Sequence, residues 1–175
     1  PVVGTASIFT INQQVAILFA SGLEDGSGSA MTNALVFWQL PFGIFGAAIT
    51  TVMFPRMSRQ AAARDTEGLS DTLQFGFRYL MTLLIPSALV LSLLGREIIA
   101  VALQRGAFEA RFTTLTSEVL MYYSLGLLSV GAYNYFQRFF YATGDFRTPL
   151  FVAGVTLVLD VGLSLWLKET PLRVR

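Results

Sequence analysis

The 175 residues contain no cysteine and no histidine, and only 13% are charged. Without cysteine there are no disulfides, no thiol chemistry and no thiolate-ligated metal. Without histidine the commonest metal ligand and the commonest general base near neutral pH are both missing. Ordinary soluble domains carry roughly 25% charged residues, enough to cover a wet surface; 12 Lys and Arg with 11 Asp and Glu are few for this length. The formal net charge of +1 leaves no nucleic-acid footprint. Phosphate-binding glycine loops of the Walker type, nucleophile elbows and HExxH motifs do not occur either, so the chain does not read as an enzyme.

Apolar residues dominate instead. Hydrophobic side chains make up 54% of the chain, mean hydropathy is +0.60, and 15 Phe, 6 Tyr and 2 Trp are present. Such a chain is too apolar for disorder and too poorly charged for a soluble fold, which leaves an integral membrane protein. A bilayer core of about 30 Å needs about 20 helical residues. Five segments approach that length, at about residues 2–21, 30–54, 75–94, 115–141 and 149–167. Their runs are continuously apolar rather than alternating every second residue, so helices are expected and not barrel strands. The expected fold is therefore all-α and membrane-spanning. The third span is expected to break at Pro86, and residues 95–97 to end it before a short apolar run, 98–103. Residues 104–112 read as an interfacial turn, and RQAAARDTEGLSDTL, residues 59–73, as a short solvated helix inside a loop.

The loop between spans one and two carries Glu24 and Asp25 without a cation, whereas the next carries Arg56, Arg59 and Arg64. The positive-inside rule puts the first outside and the second in the cytoplasm. Continued alternation puts Arg96, Arg105 and Arg111 outside, against that rule, so the two short loops carry the assignment.

Polar residues at bilayer depth are costly and face protein or a water-filled cavity. Asn12, Gln13 and Gln14 together subtend about 200° of a helix, more than one narrow partner can satisfy. Asn33, Gln39 and Asn134 join Asn12 and Gln13 as candidate cavity residues, with interhelical hydrogen bonding as the other reading. Arg138 shares a helix face with Asn134 but lies near a span end, where snorkelling explains it. Pro41, Gly43 and Gly46 mark a candidate hinge or a packing kink in the second span. Asp160 lies near the middle of the fifth span, with Ser164 one turn on. It is a candidate Na⁺ or proton site, or else a partner for another helix. No cofactor is expected; coupling to Na⁺, H⁺ or the membrane potential is the expected energy source.

Three stretches then carry a family resemblance: QLPFGIFGAAITTVMFPRMSRQAAARD at residues 39–65, LQRGAF at 103–108 and FYATGDFRTPL at 140–150. In this order they resemble the MurJ/MviN family of bacterial lipid II flippases, within the multidrug/oligosaccharidyl-lipid/polysaccharide exporter superfamily. The resemblance implies a parent of about fourteen helices in two pseudo-symmetric bundles. Residues 1–175 would form part of the second bundle, about helices seven to eleven, in the bacterial cytoplasmic (inner) membrane. It further implies alternating-access transport of an undecaprenyl-pyrophosphate-linked peptidoglycan precursor for cell wall synthesis, with that lipid, the bilayer and the remaining helices as partners and no nucleic acid. A cation-coupled exporter of drugs or polysaccharide-linked lipids is the alternative within the superfamily. Two departures stand out. Leu35 and Val36 occupy the places of a family Asp-Arg pair, and Ala16 that of an Asp in the preceding span.

Overall fold

The computed structural model describes residues 27–103 and 110–169, all of it helix and tight turn. Spans one and the stretch 104–109 lie outside the described residues. Helix α1, Ser27–Pro41, leads into a single π turn, Phe42–Gly46, and then α2, Ala47–Ala62. Helix α3 covers Thr66–Leu103, α4 Ala110–Ala142 and α5 Arg147–Glu169. Two rods are long and apolar enough to cross a bilayer, Gly28–Ala62 and Thr66–Leu103. Only 11% and 28% of their apolar windows are buried, so they are not the covered core helices of a soluble domain.

Several expected breaks are absent. Helix α2 runs through Pro55 to Ala62, and α3 through Pro86 and on through Gly95, Arg96 and Glu97 without interruption. The apolar run 98–103 is the end of that rod rather than a separate segment. The expected short helix at 59–73 is the end of α2, a turn and the start of α3, and Arg111 and Phe112 belong to the first turn of α4. The reason is the bilayer: with no water to take up freed backbone groups, a proline costs less inside a continuous helix than a loop would. Side chains assist locally. Ser87 Oγ donates to Leu83 O at 2.7 Å beside Pro86, and Arg59 Nε donates to Pro55 O at 3.4 Å. Only Pro41 perturbs its helix, where FGIFG follows and glycine lowers the cost of the wider turn.

The two described turns share one design. At the end of α2, Arg64 N donates to Ala61 O (3.1 Å) and Asp65 N to Gln60 O (3.0 Å). At the end of α4, Gly144 N donates to Tyr141 O (3.2 Å) and Asp145 N to Phe140 O (2.9 Å). These are Schellman closures, with Arg64 (φ 57°) and Gly144 (φ 80°) in the left-handed position. In each, the following aspartate caps the next helix: Asp65 Oδ1 accepts from Gly68 N at 2.9 Å, and Asp145 Oδ1 from Arg147 N at 3.0 Å and Thr148 N at 3.1 Å.

Helices α1, α2 and α3 pack around α4, and the α3–α4 interface is the most extensive. Among the described residues, helix α5 contacts no helix but α4, and that sparsely. The core is a single cluster that includes Ala34, Trp38, Met57, Leu80, Leu84, Leu120, Leu127 and Tyr135. Glycines set the antiparallel register of α3 on α4. A Cβ on Gly76 would overlap the Tyr135 hydroxyl, one on Gly131 would overlap Leu84, and Gly95 lies against Leu120. Small residues permit such close approach where lipid supplies no hydrophobic drive. Tyr135, fully buried, donates its hydroxyl to Leu73 O (3.2 Å) and Thr72 O (3.3 Å) across the interface. Helix α5, by contrast, shows Phe151 (74% exposed) and Val158 (71%), an apolar face for lipid or further helices.

Two outcomes follow from this packing. Gly76→Ala destabilises the protein by about 1–3 kcal/mol through overpacking; Tyr135→Phe alone costs about 1 kcal/mol for the lost hydrogen bonds. The double variant recovers part of the sum in a detergent melt, and strict additivity would reject the notch. Asp145 carries a lowered pKa, first from the Thr148 hydroxyl (2.6 Å) and then from backbone N–H groups. Its contribution to stability is therefore present above the ordinary carboxylate value, about 4, and lost as pH falls through the lowered folded value. Asp145→Ala lowers Tm at pH 7, and the gap from the unmodified protein closes at lower pH.

Candidate functional site

Inside an apolar bundle, hydroxyls and amides first satisfy themselves on their own helix. Thr50 Oγ1 donates to Gly46 O (2.7 Å), Thr51 Oγ1 to Ala47 O (2.7 Å) and Asn134 Nδ2 to Val130 O (2.9 Å). Each keeps an oxygen able to accept from elsewhere. These three residues line one opening, about 240 Å³, between the π turn with the start of α2 and the facing side of α4. Gly43, Gly46 and Tyr135 also line it, and Arg138, one turn beyond Asn134, is the only charged residue on its wall among the described residues. Arg138 is exposed and makes no ion pair with any described residue.

The π turn creates this space. It shifts the register between α1 and α2, and Phe42 turns back to stack on Trp38 with ring centroids 5.7 Å apart. Gly43 faces open space, and a Cβ on Gly46 would rest on the Phe42 ring at ordinary contact distance, 3.4 Å from Cε2 and 3.5 Å from Cδ2. Neither glycine is demanded by packing. The wall offers a guanidinium for an anionic group, and an amide oxygen and hydroxyl oxygens that can accept from a ligand's O–H or N–H.

The sequence-based candidates divide accordingly. Gly43, Gly46 and Asn134 meet at the opening, and Pro41 ends α1 next to the π turn. Asn33, half-buried, and Gln39, exposed, lie on α1 outside this opening. Leu35 packs against the core and Val36 is 56% exposed, so neither departure from the Asp-Arg pattern leaves a buried gap. Asp160 and Ser164 are one turn apart on α5. Asn12 and Gln13 lie outside the described residues. Thr50 and Thr51 were not singled out from sequence; their position one turn after Gly46 is the signal that points to them. Among the described residues no group of acidic side chains could hold a metal.

Bilayer-length rods, glycine-notched helix packing and a polar opening beside a π turn define the class as an all-α membrane protein. The chain belongs to the MurJ family: the family model described as Lipid II flippase MurJ matches residues 1–172. The chain is 34% identical over 160 residues to a probable lipid II flippase MurJ of Borreliella burgdorferi, covering 91% of this chain and 32% of that protein. It is 30% identical over 167 residues to the probable lipid II flippase MurJ of Rhizobium tropici, covering 95% and 31%. It is 28% identical over 162 residues to the lipid II flippase MurJ of Burkholderia cenocepacia, covering 92% and 31%. The chain thus spans about a third of the length of the curated relatives it matches. No solved structure matches it.

Because packing does not need the glycines of the π turn, Gly43→Ala and Gly46→Ala are each expected to stabilise the protein by up to about 1 kcal/mol through helix propensity. A rise in Tm for both in detergent is the expected reading; a fall by several degrees would mean that the turn requires glycine.

Proposed function

We propose that this chain forms part of the second helical bundle, about helices seven to eleven, of a flippase in the bacterial cytoplasmic membrane. It crosses the bilayer five times and helps to move lipid-linked peptidoglycan precursor, lipid II, from the inner to the outer leaflet by alternating access. The family match over residues 1–172 supports the substrate. The observation that carries the mechanism is the opening at the π turn, where a lone guanidinium, Arg138, faces glycines that packing does not need. The pyrophosphate of an anionic pyrophosphate-sugar headgroup would be met there by Arg138, while hydroxyls of its sugar would donate to the Asn134 carbonyl and the Thr50 and Thr51 hydroxyl oxygens. The π turn between Pro41 and Ala47 serves as the hinge that lets α1 and α2 reorient as the cavity alternates. Asn12, Gln13, Asn33 and Gln39 belong to polar walls that the remaining helices complete. Asp160 with Ser164 supplies the cation site that couples transport to Na⁺ or H⁺. The protein relocates its substrate and transforms no bond, so it acts as a transporter rather than an enzyme. Export of drugs or polysaccharide-linked lipids is not favoured, since the relatives named above carry flippase descriptions.

The test is lipid II translocation in cells depleted of their own flippase and supplied with the full-length protein that carries this chain. The parent restores translocation. Arg138→Gln lowers it about tenfold at equal membrane abundance, Arg138→Lys retains most of it, and Asp160→Ala abolishes it. The stabilised Gly46→Ala variant transports more slowly than the parent. Full activity of Arg138→Gln would remove the opening from the substrate path.

A further inference from the structure

A second opening lies away from the π turn, between α2 and the first turns of α3. It encloses about 440 Å³ and is lined by Arg56, Asp71, Thr72, Gln74, Phe75 and Arg78, with Met53 at its base. Its place relative to the bilayer follows from helix length. The 38 residues of α3 extend about 57 Å at 1.5 Å per residue, well beyond a hydrocarbon core of about 30 Å. Glu67, Asp71, Gln74 and Arg78 at its start and Arg96 and Glu97 near its other end bracket the apolar run, so the first turns of α3 reach past the hydrocarbon, and Arg56 and Arg59 lie near the matching end of α2. The opening therefore sits at the boundary between headgroups and acyl chains. Phe75 and Tyr79, both about half exposed with ring centroids 4.6 Å apart, stand beside it as an interfacial aromatic pair.

The arrangement of charge is the informative feature. Two guanidiniums and one carboxylate line the same space, yet among the described residues no ion pair joins Arg56, Asp71 and Arg78. Opposite charges that share a partly enclosed opening without closing on one another leave room for a ligand that carries both signs. We infer that this opening binds the phosphoethanolamine headgroup of a bilayer lipid. The phosphodiester lies on Arg56 and Arg78, with Gln74 as a neutral donor, and the primary ammonium donates to Asp71. A glycerol headgroup gives Asp71 no cation. A choline headgroup has no N–H to donate and forfeits the charge-assisted hydrogen bond. The site is thus selective for a zwitterion with a protonated amine, and it is separate from the opening proposed for substrate.

The test is native mass spectrometry of the full-length protein in micelles, titrated with phosphatidylethanolamine, phosphatidylglycerol and phosphatidylcholine of matched acyl chains. The expected result is an apparent Kd for phosphatidylethanolamine at least fivefold below both others. Arg56→Gln and Arg78→Gln each weaken it about fivefold, and Asp71→Asn erases the preference over phosphatidylglycerol. Arg59→Gln, a cation on the same helix end that does not line the opening, leaves the order unchanged. Equal binding of the three lipids by the unmodified protein overturns the assignment without need of any variant, as does a preference that survives Asp71→Asn. Free phosphoethanolamine competes only at concentrations about a hundredfold above the lipid; equal potency would make this a soluble-phosphate site and would also overturn it.

Discussion

Every backbone N–H and C=O that enters a bilayer must find its partner within protein, because hydrocarbon offers none. The rest of the architecture follows from that constraint. Prolines at 55 and 86 are absorbed into unbroken helices, threonines at 32, 50, 51, 82 and 156 return their hydroxyl protons to their own helix, and the two described chain reversals use Schellman turns that close carbonyls at the ends of α2 and α4. The same constraint explains why polar residues here do not imply interhelical bonds. Asn134 satisfies its amide on Val130 and leaves its carbonyl for the opening.

Packing between helices obeys a second rule. Lipid tails are as apolar as leucine, so association depends on close fit and on the occasional hydrogen bond. Tyr135 combines both, filling the notch at Gly76 while its hydroxyl bonds two carbonyls of α3. This contact lies next to the opening that Tyr135 and Leu80 also line. The tight α3–α4 interface thus forms one wall of the opening, facing the π turn. Among the described residues, helix α5 makes few contacts with α4 and leaves apolar side chains such as Phe151 and Val158 exposed.

Function separates along the same lines. One opening, beside the π turn, carries a single cation and glycines free of packing demands; the other, at the ends of α2 and α3, carries both signs of charge at headgroup depth. The first suits a group that passes through; the second suits one that stays. Their separation allows each to be tested without disturbing the other.

The bilayer class, the helical periodicity and the family were legible in the residues alone, because hydrophobic content and the LPFGIFG, LQRGAF and ATGDFRTP stretches need no tertiary context. The turn at Gly144-Asp145 is a local pattern, glycine at a left-handed position followed by a capping aspartate, although from sequence alone that stretch carried only the family resemblance. Arg64-Asp65 makes the same turn without glycine, and there the sequence pattern suggested a longer loop. Local reading broke α3 at Pro86 and Gly95 because it counted local breakers and not the cost of freeing backbone groups in lipid. Which polar residues share a cavity was decided only by packing. Asn134, Thr50 and Arg138 converge because α2 and α4 are neighbours, while Gln39, close in sequence to the π turn, lies outside that opening. Sequence determines which groups must avoid lipid; only the relative placement of helices decides which of them meet.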